Sequence, residues 1–301
     1  MTMHRNGRVC PPPLFVIGSP RSGTTLLRLM LTSHPALVIP PECGFVMWLY
    51  PRFGAWTARE YAVSVNRLLF AEAVSASRKF ETWGLSVEDL MDALEAGEPQ
   101  GFGEACACVY RLFAQRAGKA EAAWGDKNNH YLSSMETLKS IFPDARFLHI
   151  VRDGRDVACS YREVMEFESD SPYRPSLPVQ IADIAARWAS DVRTIGSHMM
   201  KIGTEATFEL RYEDLTAEPQ SELRRVCNWL GIPFADEMLQ FHRENNTGPL
   251  EPSATLDWKK RTLAPVGTGT VGRHATMLSK TDAEEFVSIA STELMRFGYL
   301  H

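Results

Sequence analysis

Residues 14–25 read LFVIGSPRSGTT, an apolar strand that runs through a glycine-bounded turn straight into a helix. No other stretch restricts the fold as strongly. Gly18 and Gly23 have the GxxxxG spacing of a phosphate-binding loop, and two hydroxyl residues, Thr24 and Thr25, follow. Such a loop turns backbone N–H groups and the positive end of a helix dipole toward an anion. Thr24 stands where a nucleoside-triphosphate hydrolase carries lysine, and Arg21 lies inside the loop instead. The loop is therefore suited to phosphate but lacks the ammonium that reaches β- and γ-phosphates.

Strand-like and helical stretches alternate along the rest of the chain. The strand at 14–18 leads to a helix over 22–33, stopped by His34-Pro35 because a residue before proline avoids the helical region. A short strand is expected at 37–39. A helical insert follows over about 43–118, punctuated at Pro51, Gly84 and Gly97. Further strands are expected at 121–125 (ending in WGDK), 146–151 and 206–211, and helices at 131–141, 154–165, 179–202 and 219–230. Residues 169–178 and 245–272 read as loops, and a last helix at 282–297 takes Thr281 as its N-cap. The expected fold is a single α/β domain over 1–301, a mostly parallel sheet with helices on both faces. Ligands of such sheets bind beyond the carboxyl ends of the strands.

Lys and Arg number 32 against 37 Asp and Glu, so the net charge is −5. A generally basic, nucleic-acid-binding surface is excluded, and any anion site must be a local cluster of cations. No run approaches the ~20 apolar residues of a membrane span. The N-terminus, MTMHRNGRVCPPPLFVIG, does not read as a secretory leader, because its apolar run is short and feeds the loop strand. The six cysteines (Cys10, Cys43, Cys106, Cys108, Cys159 and Cys227) form no CxxC pair. They read as buried reduced thiols of a cytoplasmic protein. The histidines are scattered, and no metal site is expected.

A second motif lies at 147–161, FLHIVRDGRDVACSY. Arg152 follows a strand end, and Ser160 lies about two turns into the next helix. An arginine and a hydroxyl so arranged can clamp a second phosphate, since guanidinium matches phosphate oxygens in bidentate fashion. The alternative is that Arg152 pairs with Asp153 or Asp156 and Ser160 is a surface residue.

PRSGTTLLRLML followed by HP, together with VRDGRDVACSY, resembles the sulfotransferases that use 3′-phosphoadenosine 5′-phosphosulfate (PAPS). The resemblance extends to WGDK at 124–127, RYEDL at 211–215 and the Gly269–Arg273 stretch, and is strongest to the bacterial and tyrosylprotein branch. It implies that Arg21, Ser22, Gly23, Thr24 and Thr25 surround the 5′-phosphosulfate and that Arg152 and Ser160 bind the 3′-phosphate. PAPS would be the donor and adenosine 3′,5′-bisphosphate (PAP) the product, with no metal. That donor has no β,γ-phosphates, which accounts for the missing lysine. The resemblance further implies Glu42 as the base and Lys127 as the group on the leaving oxygen, aided by Arg21. His130 is an alternative base. Tyr212 lies beside the nucleotide or is a core aromatic. Arg273 adds charge from a segment closing over the donor, so 245–275 is either a lid or a surface loop. The acceptor is a small-molecule, glycan, lipid or tyrosine hydroxyl, met by the insert, where CGFVMWLYPRFGAW lines a cleft or packs the core. Two other functions are weighed: a P-loop small-molecule kinase and a non-catalytic nucleotide-binding module.

Overall fold

Five strands, β1 (Leu14–Ile17), β2 (Leu37–Val38), β3 (Ala123–Lys127), β4 (Arg146–Val151) and β5 (Thr207–Arg211), form one sheet in the order β2-β3-β1-β4-β5. Every neighbouring pair is parallel. These are the strands of a computed structural model that describes residues 12–247 and 250–300. Cys10 and the remainder of 1–11, on which the reading of the N-terminus rests, lie outside the described residues.

The apolar strands are covered on both faces, as parallel sheets require. Phe15 and Ile17 point into a core shared with the helical insert, while Leu14 and Val16 point into one shared with α1 (Thr24–Thr32) and the helix Pro219–Leu230. A third core joins the helices Gly154–Glu166, Ile181–Ile202 and Lys280–Arg296.

Register brings the strand ends into line. Val16 lies opposite Lys127, Ile17 opposite His149, and Val151 opposite Arg211. The chain leaves β1 for β2 and β3 on one side, then crosses to β4 and β5 on the other. That reversal opens a crevice at the carboxyl ends. Each strand delivers one expected site element there: the glycine loop after β1, Glu42 after β2, Lys127 ending β3, Arg152 after β4 and Tyr212 after β5.

Several local expectations need correction. Helix α2 (Phe45–Phe53) runs through Pro51, forgoing only the one bond that a residue 51 N–H would donate to the Met47 carbonyl. Strand β3 ends in WGDK as expected but covers Ala123–Lys127 rather than 121–125. Asp126 is a poor strand residue, but its carboxylate accepts the Tyr110 hydroxyl at 2.5 Å and the Tyr131 hydroxyl at 2.9 Å. Burial pushes its pKa up to about 7. The expected helix 131–141 is split into a 3-10 turn (Asn129–Ser133) and the helix Met135–Ile141. The final helix starts earlier, at Lys280, capped by Ser279 Oγ, which accepts the Asp282 N–H at 3.0 Å. Helical turns at Ser253–Leu256 and Asp257–Leu263 occupy the expected loop 245–272.

In the aromatic segment of the insert, Phe45 and Phe53 are buried in the core, while Trp48 is exposed. The five described cysteines are buried and free. Among the described residues, no helix is long and apolar enough to cross a membrane, and no cluster of His, Cys, Asp and Glu is arranged to hold a metal ion.

Candidate active site

The glycine loop is tightly built. Arg21 adopts a left-handed conformation (φ 68°), as does Gly23 (φ 97°). A Cβ at Gly18 would come 2.7 Å from the Ile150 carbonyl oxygen, and one at Gly23 would run into the Tyr212 ring. Gly23 caps α1 without a side-chain acceptor, and the first turn of α1 carries no acidic residue, so its N–H groups face the loop. Gly23→Ala adds both backbone strain and a clash. It is expected to cost about 2 kcal/mol or more of stability, read by thermal unfolding.

Arginines cluster on the β4 side. Arg152 donates from Nη1 to the Arg21 carbonyl (3.2 Å) and from Nη2 to the Thr270 carbonyl (2.5 Å). Its guanidinium lies 4.5 Å from the Tyr212 ring centroid. Arg21 in turn donates from Nε to Ser160 Oγ (3.1 Å) and from Nη2 to the Trp258 carbonyl (3.0 Å). The two sequence motifs therefore meet directly. Asp153 is committed elsewhere, capping its helix and binding Arg155 at 2.7 Å. Asp156 accepts the Gly272 N–H (2.7 Å), the His274 N–H (2.9 Å) and a bond with His274 Nδ1 (3.0 Å), which fixes the 272–274 segment against the helix Gly154–Glu166. Tyr212 is buried in the core, abuts Gly23, and shares a 2.7 Å hydrogen bond with the Thr270 hydroxyl. The core placement expected of Tyr212 is the one the structure shows, with its ring against the glycine loop.

This cluster carries unbalanced charge. Burial, then Arg152 and Arg261, bring the Arg21 guanidinium down to about 10. Glu163 is a nearby carboxylate, bound by Arg273 and, at 3.4 Å, by Arg261. Ser22 Oγ, Arg152 Nε, and Arg273 Nε and Nη2 are buried without a hydrogen-bond partner. Such groups cost free energy unless something answers them.

A second cluster surrounds Glu42. Its carboxylate lies 3.2 Å from Lys79 Nζ and 3.4 Å from Lys127 Nζ. Lys127 is buried, only 2% of its side chain being exposed. Burial alone would raise the Glu42 pKa. Lys127, Lys79 and Lys259 overcome that and hold it well below the usual carboxylate range. Arg21 does not stand in this group; its charged neighbours are Arg152, Arg261 and Glu163. His130 is exposed. Thr24 Oγ1 donates to Asn129 Oδ1 at 3.3 Å, tying the loop to the end of β3.

Lys79 and Lys259 were not legible as site residues, since no local motif marks either. Lys79 comes from a left-handed position in the insert (φ 73°), and Lys259 from the C-terminal segment. Trp258 caps Arg21 while its neighbour Lys259 joins the Glu42 group, so two adjacent residues span both clusters.

The model of the sulfotransferase family matches residues 12–236. The chain belongs to the sulfotransferase family. The span includes the expected site residues from Arg21 to Tyr212, whereas Lys259 and Arg273 lie beyond it. Among relatives, the chicken (Gallus gallus) protein-tyrosine sulfotransferase 2 is 28% identical over 242 residues, covering 79% of this chain and 55% of that protein. The Danio rerio protein-tyrosine sulfotransferase 1 is 25% identical over 293 residues, covering 96% and 72%. The nodulation protein NoeE of Sinorhizobium fredii is 28% identical over 242 residues, covering 74% and 51%. The chain thus spans about half the length of the chicken and Sinorhizobium relatives. Among solved structures, the sulfotransferase domain from the curacin biosynthetic pathway superposes with a TM-score of 0.59 at 21% identity, over 94% of this chain and 99% of that one. The sulfotransferase domain from the Synechococcus PCC 7002 olefin synthase gives 0.53 at 24% identity, over 93% and 99%. These likenesses establish the shared fold of the sulfotransferase.

Proposed function

We propose that this chain transfers a sulfuryl group from PAPS to a hydroxyl acceptor by in-line displacement. The observation that carries the reading is the pair of cation clusters flanking one glycine loop, with buried donors of Ser22, Arg152 and Arg273 left unanswered. Those donors fit a doubly anionic adenosine nucleotide. Bound PAPS supplies a sulfuryl group on a phosphate–sulfate anhydride, whose bridging S–O bond breaks as the acceptor O–S bond forms.

Arg152, Ser160 and Arg273 hold the 3′-phosphate, and the unpaired Nε of Arg152 is free to complete a bidentate grip. The N–H groups of residues 21–25 and the Arg21 guanidinium hold the 5′-phosphate. Tyr212 fixes the register of both by packing on Gly23 and under Arg152. Lys127 meets the charge that develops on the leaving oxygen, with Arg21 contributing from the phosphate side. Glu42 takes the acceptor proton. Glu42 is the counterion of three lysines, and its low pKa makes it a weak base. An anionic donor that draws on those lysines raises the Glu42 pKa toward the range a general base needs.

The names of the relatives make a tyrosine hydroxyl one acceptor to test, beside phenols, glycans and hydroxylated lipids. The test is transfer of label from [35S]PAPS to a panel of a tyrosine peptide, 4-nitrophenol, an oligosaccharide and a hydroxy-lipid. Labelled product with one of them is expected. Transfer of the γ-phosphoryl group of ATP to the same panel, with none from PAPS, would instead favour a kinase. PAP binding without any transfer would leave a nucleotide-binding module.

A further inference from the structure

Lys259 lies in a segment that no motif singled out, yet its side chain is 8% exposed and lines the same small cavity as Glu42, Lys79 and Thr255. Its ammonium binds Glu251. The Glu251 carboxylate is buried and also accepts Arg28 Nη2 and the Thr255 hydroxyl, each at 2.6 Å. Arg28 belongs to α1, the helix that begins at the glycine loop, and donates as well to the Ile39 carbonyl (3.0 Å), close before Glu42. Glu251 thus ties the C-terminal segment to both the loop helix and the strand that delivers Glu42.

A latch between these parts needs only Arg28 and Glu251. Burying a second ammonium costs desolvation that one ion pair does not repay. Lys79 and Lys259 line the cavity and Lys127 and Arg28 stand behind it, four cations gathered on Glu42 and Glu251, with Asp126, pushed up to about 7 by burial, the next carboxylate. The cavity is too narrow for a water molecule as it stands, and its excess of positive charge favours an anionic guest over a neutral one in opening it. Lys259 spends one of its three N–H donors on Glu251, leaving two for that guest.

We propose that Lys259 is a third cation of the sulfuryl-transfer centre, contacting the non-bridging sulfuryl oxygens, and that Glu251 is the positioning residue that aims it. The inference rests on the sulfotransferase reading above. Burial lowers the Lys259 pKa to about 8; Lys127 pushes the same way, and Glu251 and Glu42 oppose it. The ammonium is therefore charged below about pH 8 and neutral above. The kcat/KM for PAPS, which reports the free enzyme, falls as pH rises through that value.

The test compares the wild type with Lys259→Met, Lys259→Arg and Glu251→Gln. Calorimetry measures PAP and PAPS affinity without acceptor, and release of PAP from PAPS with 4-nitrophenol is followed across pH. PAP lacks the sulfuryl group, so Lys259→Met is expected to bind PAP within about twofold of wild type but PAPS about tenfold more weakly, the size of one lost charge-assisted hydrogen bond. Lys259→Arg keeps its charge at all accessible pH, so its basic limb moves above about pH 9. Glu251→Gln moves that limb below the wild-type value, because an opposing carboxylate is gone. PAPS binding by Lys259→Met as tight as wild type overturns the proposal, as does an unchanged basic limb in Lys259→Arg. Equal loss of PAP and PAPS affinity with a lowered melting temperature overturns it in favour of a latch. A wild type that does not bind PAP overturns the sulfotransferase reading itself.

Discussion

Arg152→Ala is expected to weaken PAP binding by about 10²- to 10⁴-fold, the loss of two charge-assisted hydrogen bonds to a phosphate at about 1.5–3 kcal/mol each. The guanidinium is already held in place by the Arg21 and Thr270 carbonyls and by the Tyr212 ring. Little side-chain entropy is therefore lost when a phosphate arrives, and the unpartnered Nε is released from its buried, unanswered state. Arg152→Lys should recover little, because an ammonium cannot span two phosphate oxygens in the plane that guanidinium does. Isothermal titration reads the effect directly, with thermal unfolding as the control for loss of the Arg21–Arg152–Thr270 link. A PAP affinity within threefold of wild type in Arg152→Ala would remove residue 152 from the donor site.

Glu42→Gln separates chemistry from binding. It is expected to lower kcat by about 10²- to 10⁴-fold, the usual contribution of a positioned base. PAP affinity should hold or tighten, because removing a carboxylate leaves Lys79, Lys127 and Lys259 with more charge to offer an anion. The pH profile carries an independent signature. The wild-type Glu42 pKa is depressed in the free protein, so the carboxylate is ionised throughout pH 5–8, and kcat/KM should show no acid limb there. Full transfer activity in Glu42→Gln, with PAP binding intact, would leave the proton to another group.

The parts of this site that were legible in the sequence are those built by short-range chemistry. The run LFVIGSPRSGTT carries strand, left-handed turn and helix start within a dozen residues, and Arg152 and Ser160 share one strand–helix junction. Strands alternating with helices imply a parallel sheet whose ligands lie beyond its carboxyl ends, whereas the strand order emerges only from the tertiary pairing. What escaped was decided by distant partners. Asp126 sits in a strand against its propensity because two tyrosine hydroxyls from other elements hold it. The expected loop 245–272 contains short helical turns instead, where Glu251 gathers Arg28, Thr255 and Lys259. Pro51 marks no helix end, since the two residues after it still close the last turn. Lys79 and Lys259 join Glu42 only when the insert and the C-terminal segment close on the sheet, and no spacing between them encodes that meeting.

The central claim is that the glycine loop and the arginine cluster beside it grip an adenosine nucleotide by its 5′ and 3′ anions, without a metal, and present it to the lysines around Glu42. Competitive calorimetry of PAP against ATP with magnesium tests it most directly. PAP should bind more tightly by at least about tenfold, and added EDTA should leave its affinity unchanged. Tighter binding of magnesium–ATP than of PAP would contradict the account.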